Sequence, residues 1–142
     1  MSKLKTAFTI PFGLFETLVV PFGLCNAPAS FQHYVNHTLF DLLDKTCTAY
    51  LDNILVYSIK RSEHRDHVRE VVSRLKEAGL QIDITKCDFE TTRTKYLSLI
   101  ISPESIRMDP TKVEAIAQWK EPQRIRDLQR FLGFTNFYHR FI

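Results

Sequence analysis

The stretch TAYLDNILVYS, residues 48–58, decides how this sequence is read. Aliphatic, β-branched and aromatic residues fill both flanks, and one polar pair, Asp52 and Asn53, interrupts them. Such side chains suit a pleated, half-buried surface, so residues 46–51 and 54–58 are expected as two strands. Asp and Asn both tolerate positive φ and fit a two-residue junction, although the Asp-Gly or Asn-Gly that tight hairpins favour is missing. Taken alone, the pair admits three readings: a turn, half of a metal site, or the remains of one.

On the N-terminal side, residues 15–20 form a strand-like run, and Pro, Gly and Asn then hold residues 21–28 to turns. Pro28 suits a first helical turn, with Asn26 as the expected cap. Phe31, Val35, Thr38, Leu39 and Leu42 recur at helical spacing, which predicts a helix over 29–43. On the C-terminal side, Ser62 is the expected cap of a second helix. Glu63 and Asp66 suit its positive N-terminal end, Val68, Val71, Val72 and Leu75 mark one face, and Gly79 closes it. Further strands are expected at 80–84, 87–90 and 96–101. A helix follows with Pro110 in its first turn, and another runs from Ile125 to about Phe137. This order predicts an α+β fold, with a mixed or antiparallel sheet and helices packed on one face.

The 142 residues amount to about one domain, and 44% apolar with 25% charged residues is the balance of a folded globular chain. No apolar run approaches a membrane span, and the N-terminal residues lack a signal core. An intracellular protein, in the cytoplasm or nucleus and not secreted, is the expectation. Cys25, Cys47 and Cys87 are odd in number and show no zinc-site spacing, so they read as free thiols. The net charge of +3 is unevenly placed: residues 1–59 carry three basic and four acidic side chains, and residues 60–142 carry sixteen and twelve. Beyond Pro122, Arg124, Arg126, Arg130 and Arg140 face only Asp127, a balance suited to a phosphate backbone or to an ordinary solvated face.

The segments PFGLCNAPASFQ, YLDN, EHRDHVREVVSRLKEAGLQIDITKCDFE, KYLSLIIS, IRMDPTKVEAIAQWKEP and LQRFLGFTNFYHRFI stand in collinear order from about Lys5 to Ile142. Together they resemble the reverse transcriptase of gypsy-type LTR retrotransposons. The resemblance implies a polymerase palm over 1–106, lacking the fingers and the first catalytic strand, and the start of a helical thumb over 107–142. The implied substrates are an RNA or DNA template, a primer and deoxynucleoside triphosphates.

The resemblance also assigns roles. Phe22, Gly23, Asn26, Pro28 and Gln32 match positions that seat the incoming nucleotide and template. A glycine beside an aromatic ring permits close approach of a nucleotide, and the Gln32 amide offers donors and acceptors. The alternative, a helix N-terminus whose loop merely packs, stands beside this. KYLSLIIS sits where the family grips the primer, but Ser98 and Leu99 replace the usual Gly and His, and Ser105 stands where a Gly is usual.

Such polymerases hold two Mg²⁺ or Mn²⁺ ions with three aspartates, one upstream and a consecutive pair in a YxDD hairpin. Here the pair is Asp52 and Asn53, and the upstream aspartate is expected before Lys5, where the sequence shows none. An amide offers one carbonyl oxygen and no net charge, so Asp52 is a remnant ligand and productive metal binding is not expected. His64 and His67, with Glu63 and Asp66, read as a solvated helix face rather than a metal cluster. Phe131, Phe134, Phe137, Tyr138 and Phe141 read mostly as core or interface, and the neighbouring arginines as the better nucleic-acid contacts. The expectation is a catalytically inactive fragment with weak, sequence-independent template-primer binding. Self-association through surface left bare by missing subdomains accompanies it. The alternatives are part of an active RNA-directed DNA polymerase in a longer polyprotein, and a protein-interaction module.

Overall fold

A computed structural model describes residues 6–141; Lys5 and Ile142, which bound the resemblance above, lie outside them. The chain clusters into two compact units that divide after Gln81. The palm-to-thumb division expected at 106/107 is one of function and falls within the second unit. All strand pairings are antiparallel and form three small sheets among the described residues.

The first unit opens with a hairpin of β1 (Phe8–Ile10) and β2 (Gly13–Phe15), in which Phe8 pairs with Phe15. The strand expected over 15–20 is corrected here: it ends at Phe15, and 17–20 is irregular. Strand-forming side chains do not make a strand without a neighbour to take up the backbone hydrogen bonds, and Leu18, Val19 and Val20 stand exposed.

Helix α1 (Ala27–Thr38) begins two residues before the expected 29 and has Pro28 in its first turn as expected, but Asn26 caps it only through its carbonyl, which accepts the Ser30 N–H at 2.9 Å. The helix also ends earlier than the expected 43. Thr38 Oγ1 donates back to the Tyr34 carbonyl at 2.9 Å, and Asp44 at φ 60° reverses the chain. Leu39, Leu42 and Leu43 still turn inward, so the apolar period outlasts the helix.

Strands β3 (Cys47–Tyr50) and β4 (Asn53–Val56) pair Cys47 with Val56 and Tyr50 with Asn53. Helix α2 (Arg61–Glu77) follows. Its cap is Lys60 in extended conformation rather than Ser62, and no side chain caps it. Gly79 closes it at φ 73°: the Leu80 N–H reaches the Leu75 carbonyl at 2.9 Å and the Gly79 N–H that of Lys76 at 3.0 Å, a Schellman ending. Val35 and Leu39 of the α1 region, Val71 and Leu75 of α2, and Cys47 of β3 form the buried core. Ala49, Ile54 and Val56 complete it, so both helices cover one face of the hairpin. Burial pushes the Cys47 thiol up, which keeps it protonated and unreactive.

The strands expected at 80–84, across the division between the units, and at 87–90 are absent. Asp83 instead caps a short 3-10 turn, Ile84–Lys86, by accepting the Thr85 N–H at 3.1 Å, and Glu90 takes φ 52°. The strand expected over 96–101 is a hairpin of β5 (Thr94–Tyr96) and β6 (Leu99–Ile101), and β7 (Ile106–Met108) adds a third strand. Leu97 and Ser98 form the β5–β6 turn at φ 48° and 63°. Between β6 and β7, Ser102 and Ser105 close the loop through backbone bonds of 3.0 and 3.3 Å.

Asp109 caps α3 (Pro110–Ala117) by accepting the Thr111 N–H at 3.0 Å, and it pairs with Lys95 of β5. Helix α4 (Ile125–Phe137) has the expected bounds. Trp119 packs edge-on against Phe131 and tilted against Phe134, at centroid distances of 5.7 and 5.4 Å, and Phe134 packs tilted against the buried Tyr138 at 5.5 Å. Most of the C-terminal aromatic residues thus pack on one another.

Candidate functional site at the Asp52 hairpin

The β3–β4 connection is a two-residue loop, but its residues are Leu51 and Asp52, one position earlier than the Asp-Asn junction expected. Asn53 is the first residue of β4. Of the two loop residues it is Leu51 that takes positive φ, 53°, a conformation in which a bulky side chain crowds the following carbonyl. Something must hold it there.

The holder is Gln32 of α1. Its Oε1 accepts the Leu51 N–H at 2.6 Å, while its Nε2 donates to the Ala49 carbonyl at 3.1 Å and to Asn36 Oδ1 at 2.7 Å. Along the outer edge of β3 this primary amide makes the contacts that a peptide group of an adjoining strand would make. Both amide protons are used, and one oxygen lone pair is left over. Asn36, absent from the sequence-based set of site residues, orients the amide from one turn further along α1.

Asp52 of the loop and Asn53 at the start of β4 are both exposed to solvent, and Asn53 Nδ2 donates to Asp52 Oδ1 at 3.2 Å. The amide therefore satisfies the carboxylate in place of repelling it. Among the described residues no group of three or more His, Cys, Asp or Glu side chains is placed to hold a metal ion. A two-ion site needs several anionic oxygens to offset four positive charges, and Asp52 with Asn53 does not fit that requirement.

Phe22 is fully exposed ahead of α1, and Gly23, at φ 93°, has open space where a side chain would stand. Asn26 and Pro28 form the start of α1, and Gln32 lies one turn on, so the chain brings these five positions to one end of that helix. Ser58, just past β4, lies 3.0 Å from His64 Nδ1 and 2.7 Å from His67 Nδ1. One hydroxyl proton serves one ring, and the oxygen accepts from the other, so the histidines anchor α2 to the exit of the hairpin. Arg124, Arg126, Arg130 and Arg140 belong to the second unit, where all four are exposed; among the described residues none is held in an ion pair.

The family described as reverse transcriptase (RNA-dependent DNA polymerase) matches residues 1–101. The chain belongs to that family. A retrovirus-related Pol polyprotein from transposon 297 of Drosophila melanogaster is 39% identical over 138 residues, covering 97% of this chain and 13% of the polyprotein. The transposon Tf2-7 polyprotein of Schizosaccharomyces pombe is 38% identical over 138 residues, again 97% of this chain and 10% of its own length. The chain thus spans about a tenth of the curated relatives it matches. Among solved structures, a foamy viral protease-reverse transcriptase in complex with double-stranded DNA matches with a TM-score of 0.82 and 26% identity, over 96% of this chain and 24% of that one. The same enzyme with an RNA/DNA hybrid matches at 0.73, over 93% of this chain and 18% of that one.

These likenesses bear out the resemblance to an LTR-retrotransposon reverse transcriptase and the α+β palm-and-thumb fold. Asp52 lies in the turn of the β3–β4 hairpin and Asn53 at the start of β4. No helix among the described residues is long and apolar enough to cross a membrane.

Proposed function

We propose that this chain is a reverse-transcriptase palm with the start of a thumb that has lost polymerase chemistry and retains weak, sequence-independent binding to a template-primer. The observation that carries the first part is the Asn53 amide bonded to the Asp52 carboxylate, which puts a neutral donor where a second anionic ligand is needed. The second part is supported by the four exposed arginines of residues 124–140 and by relatives of known structure that hold double-stranded DNA or an RNA/DNA hybrid. Phe22, Gly23, Asn26 and Pro28 are proposed to line the nucleotide and template side, with Gln32 setting the hairpin from behind. The palm covers residues 1–106 and the thumb begins at 107. Cys25, Cys47 and Cys87 are all unbridged, which supports an intracellular protein. The extent of exposed apolar side chain supports self-association.

Primer extension on an RNA template with Mg²⁺ or Mn²⁺ tests the reading. The expected result is no product from the chain or from Asn53→Asp, and product from the unaltered chain overturns it. The relatives' length favours a second reading, an active polymerase within a longer polyprotein. It requires extension once the flanking polyprotein segments are joined to this chain, with Asn53 retained.

A further inference from the structure

Among the described residues β3 pairs with β4 alone, yet the row of backbone groups along its outer side is almost fully bonded. Tyr50 and Asn53 flank the two-residue loop and exchange their bonds across the hairpin, so the groups of Cys47 and Ala49 point the other way. The Cys47 N–H reaches the Leu42 carbonyl at 3.2 Å, and the Cys47 carbonyl accepts the Asp44 N–H at 2.8 Å. Leu43 and Cys47 form an isolated parallel bridge, so the loop after α1 covers this half of the edge as a strand would. On the other half the Gln32 amide donates to the Ala49 carbonyl at 3.1 Å and accepts the Leu51 N–H at 2.6 Å. From the Cys47 N–H to the Leu51 N–H, the Ala49 N–H alone is left over among the described residues.

The segment behind this edge needs such cover. Residues 46–58 are mostly β-branched, aromatic or aliphatic, contain no Pro or Gly, and carry one charge, at Asp52. A run of that composition, offered at an open edge, pairs with strands of other copies and stacks. Lys, Pro or a bulge commonly keeps edge strands apart. β3 has none of these: its residues are Cys47, Thr48, Ala49 and Tyr50, and its register with β4 runs without interruption. A side chain that uses up the groups an incoming strand would bond has the same effect. Asn36 Oδ1 takes the second amide proton of Gln32 at 2.7 Å and so fixes which way the amide faces.

We infer that Gln32, oriented by Asn36, seals the outer edge of β3 against strand addition by a second copy of this chain. Thioflavin T fluorescence, which reads stacked strands and not association through side chains alone, tests it. Gln32→Ala bares the Ala49 carbonyl and the Leu51 N–H while keeping a good helix former in α1. The variant is expected to assemble roughly tenfold faster than the unaltered chain, because one net hydrogen bond is worth about a factor of ten in the population of the open edge. Tyr50 is exposed on β3, and adding Tyr50→Lys to Gln32→Ala puts a charge on the bared edge. The double variant is expected to return to the parental rate.

Val71→Ala is the control, since it removes buried methyl groups from the core and leaves the edge bonds alone. It is expected to lower stability without speeding assembly where most molecules stay folded. Equal rates for the unaltered chain and Gln32→Ala overturn the seal. Val71→Ala assembling as fast as Gln32→Ala shows that lost stability drives the assembly, and a double variant as fast as Gln32→Ala shows growth through another segment. Either result overturns the assignment to β3. Where Gln32→Ala lacks the parental helical circular dichroism from the start, Asn36→Ala decides. Asn36 is exposed, and its loss leaves Gln32 in place with an amide free to turn, so its rate is expected between those of the parent and an open edge. A parental rate there overturns the seal.

Discussion

Gln32 grips the backbone of Leu51, its Oε1 taking the Leu51 N–H at 2.6 Å, and so fixes the one residue of the Asp52 loop that has positive φ. Removing the amide strands a half-buried N–H and a carbonyl, which costs about 1–3 kcal/mol. Gln32→Leu is expected to lower stability by that amount in urea denaturation. The Leu51 amide is expected to exchange with solvent faster in the same variant, since the loop loses its tether to α1.

Leu97 and Ser98 both take positive φ in the β5–β6 turn, where Asn-Gly is the favoured pair. The side chains crowd their own backbone at a cost of roughly 1–2 kcal/mol per residue. Part of that is returned on substitution, because glycine gains freedom in the unfolded chain. Leu97→Asn with Ser98→Gly is expected to stabilise the protein by about 1 kcal/mol, read as a higher urea midpoint with unchanged slope.

Lys95 beside Asp109, together with the Thr111 N–H, holds the Asp109 carboxyl down at about 2, below its ordinary 3.8. The folded state therefore binds this proton less readily than the unfolded one, and stability rises with pH between the two values. The contribution is complete above the ordinary value and is lost as pH falls toward the folded one. Thermal melts of the unaltered chain and Asp109→Asn are expected to diverge near neutrality and to converge through the window from about pH 4 to pH 2.

Asn53→Asp replaces a donor 3.2 Å from Asp52 Oδ1 with a second anion. At this exposed tip the repulsion is modest, about 1 kcal/mol or less at low salt. The variant is expected to melt slightly lower than the parent and to recover in millimolar Mn²⁺, while the parent shows no Mn²⁺ effect. A parent that melts higher with Mn²⁺ shows that Asp52 and Asn53 hold the ion as they stand.

The legible parts of this fold are those written locally. Gly79 ends α2 because only the residues around it decide a Schellman turn, and α4 keeps its expected bounds because Leu128, Phe131 and Leu132 repeat along one helix. The hairpin at Asp52 was legible as a hairpin, but its register was not. The favoured turn residues, Asp52 and Asn53, were displaced by one position when Gln32, nineteen residues upstream of Leu51, took the Leu51 N–H. No local pattern encodes such a bond. Residues 80–90 misled in the other direction: Ile82, Ile84 and Phe89 have strand-forming side chains, yet Asp83 bonding its own downstream backbone made a 3-10 turn first.

Arg126 and Arg130 lie four residues apart on α4, neighbours on one helix face, and both are exposed. Phosphate contacts release condensed cations, so log K for duplex DNA falls against log salt with a slope of about −0.9 for each phosphate neutralised. If these two arginines reach the backbone, Arg126→Ala with Arg130→Ala is expected to make the slope shallower by about two and to weaken binding equally for all sequences. Fluorescence anisotropy with a labelled primer-template over a salt series measures it. An unchanged slope places the phosphate contacts elsewhere on the chain, and binding that ignores salt removes the nucleic-acid reading in favour of a protein-interaction module.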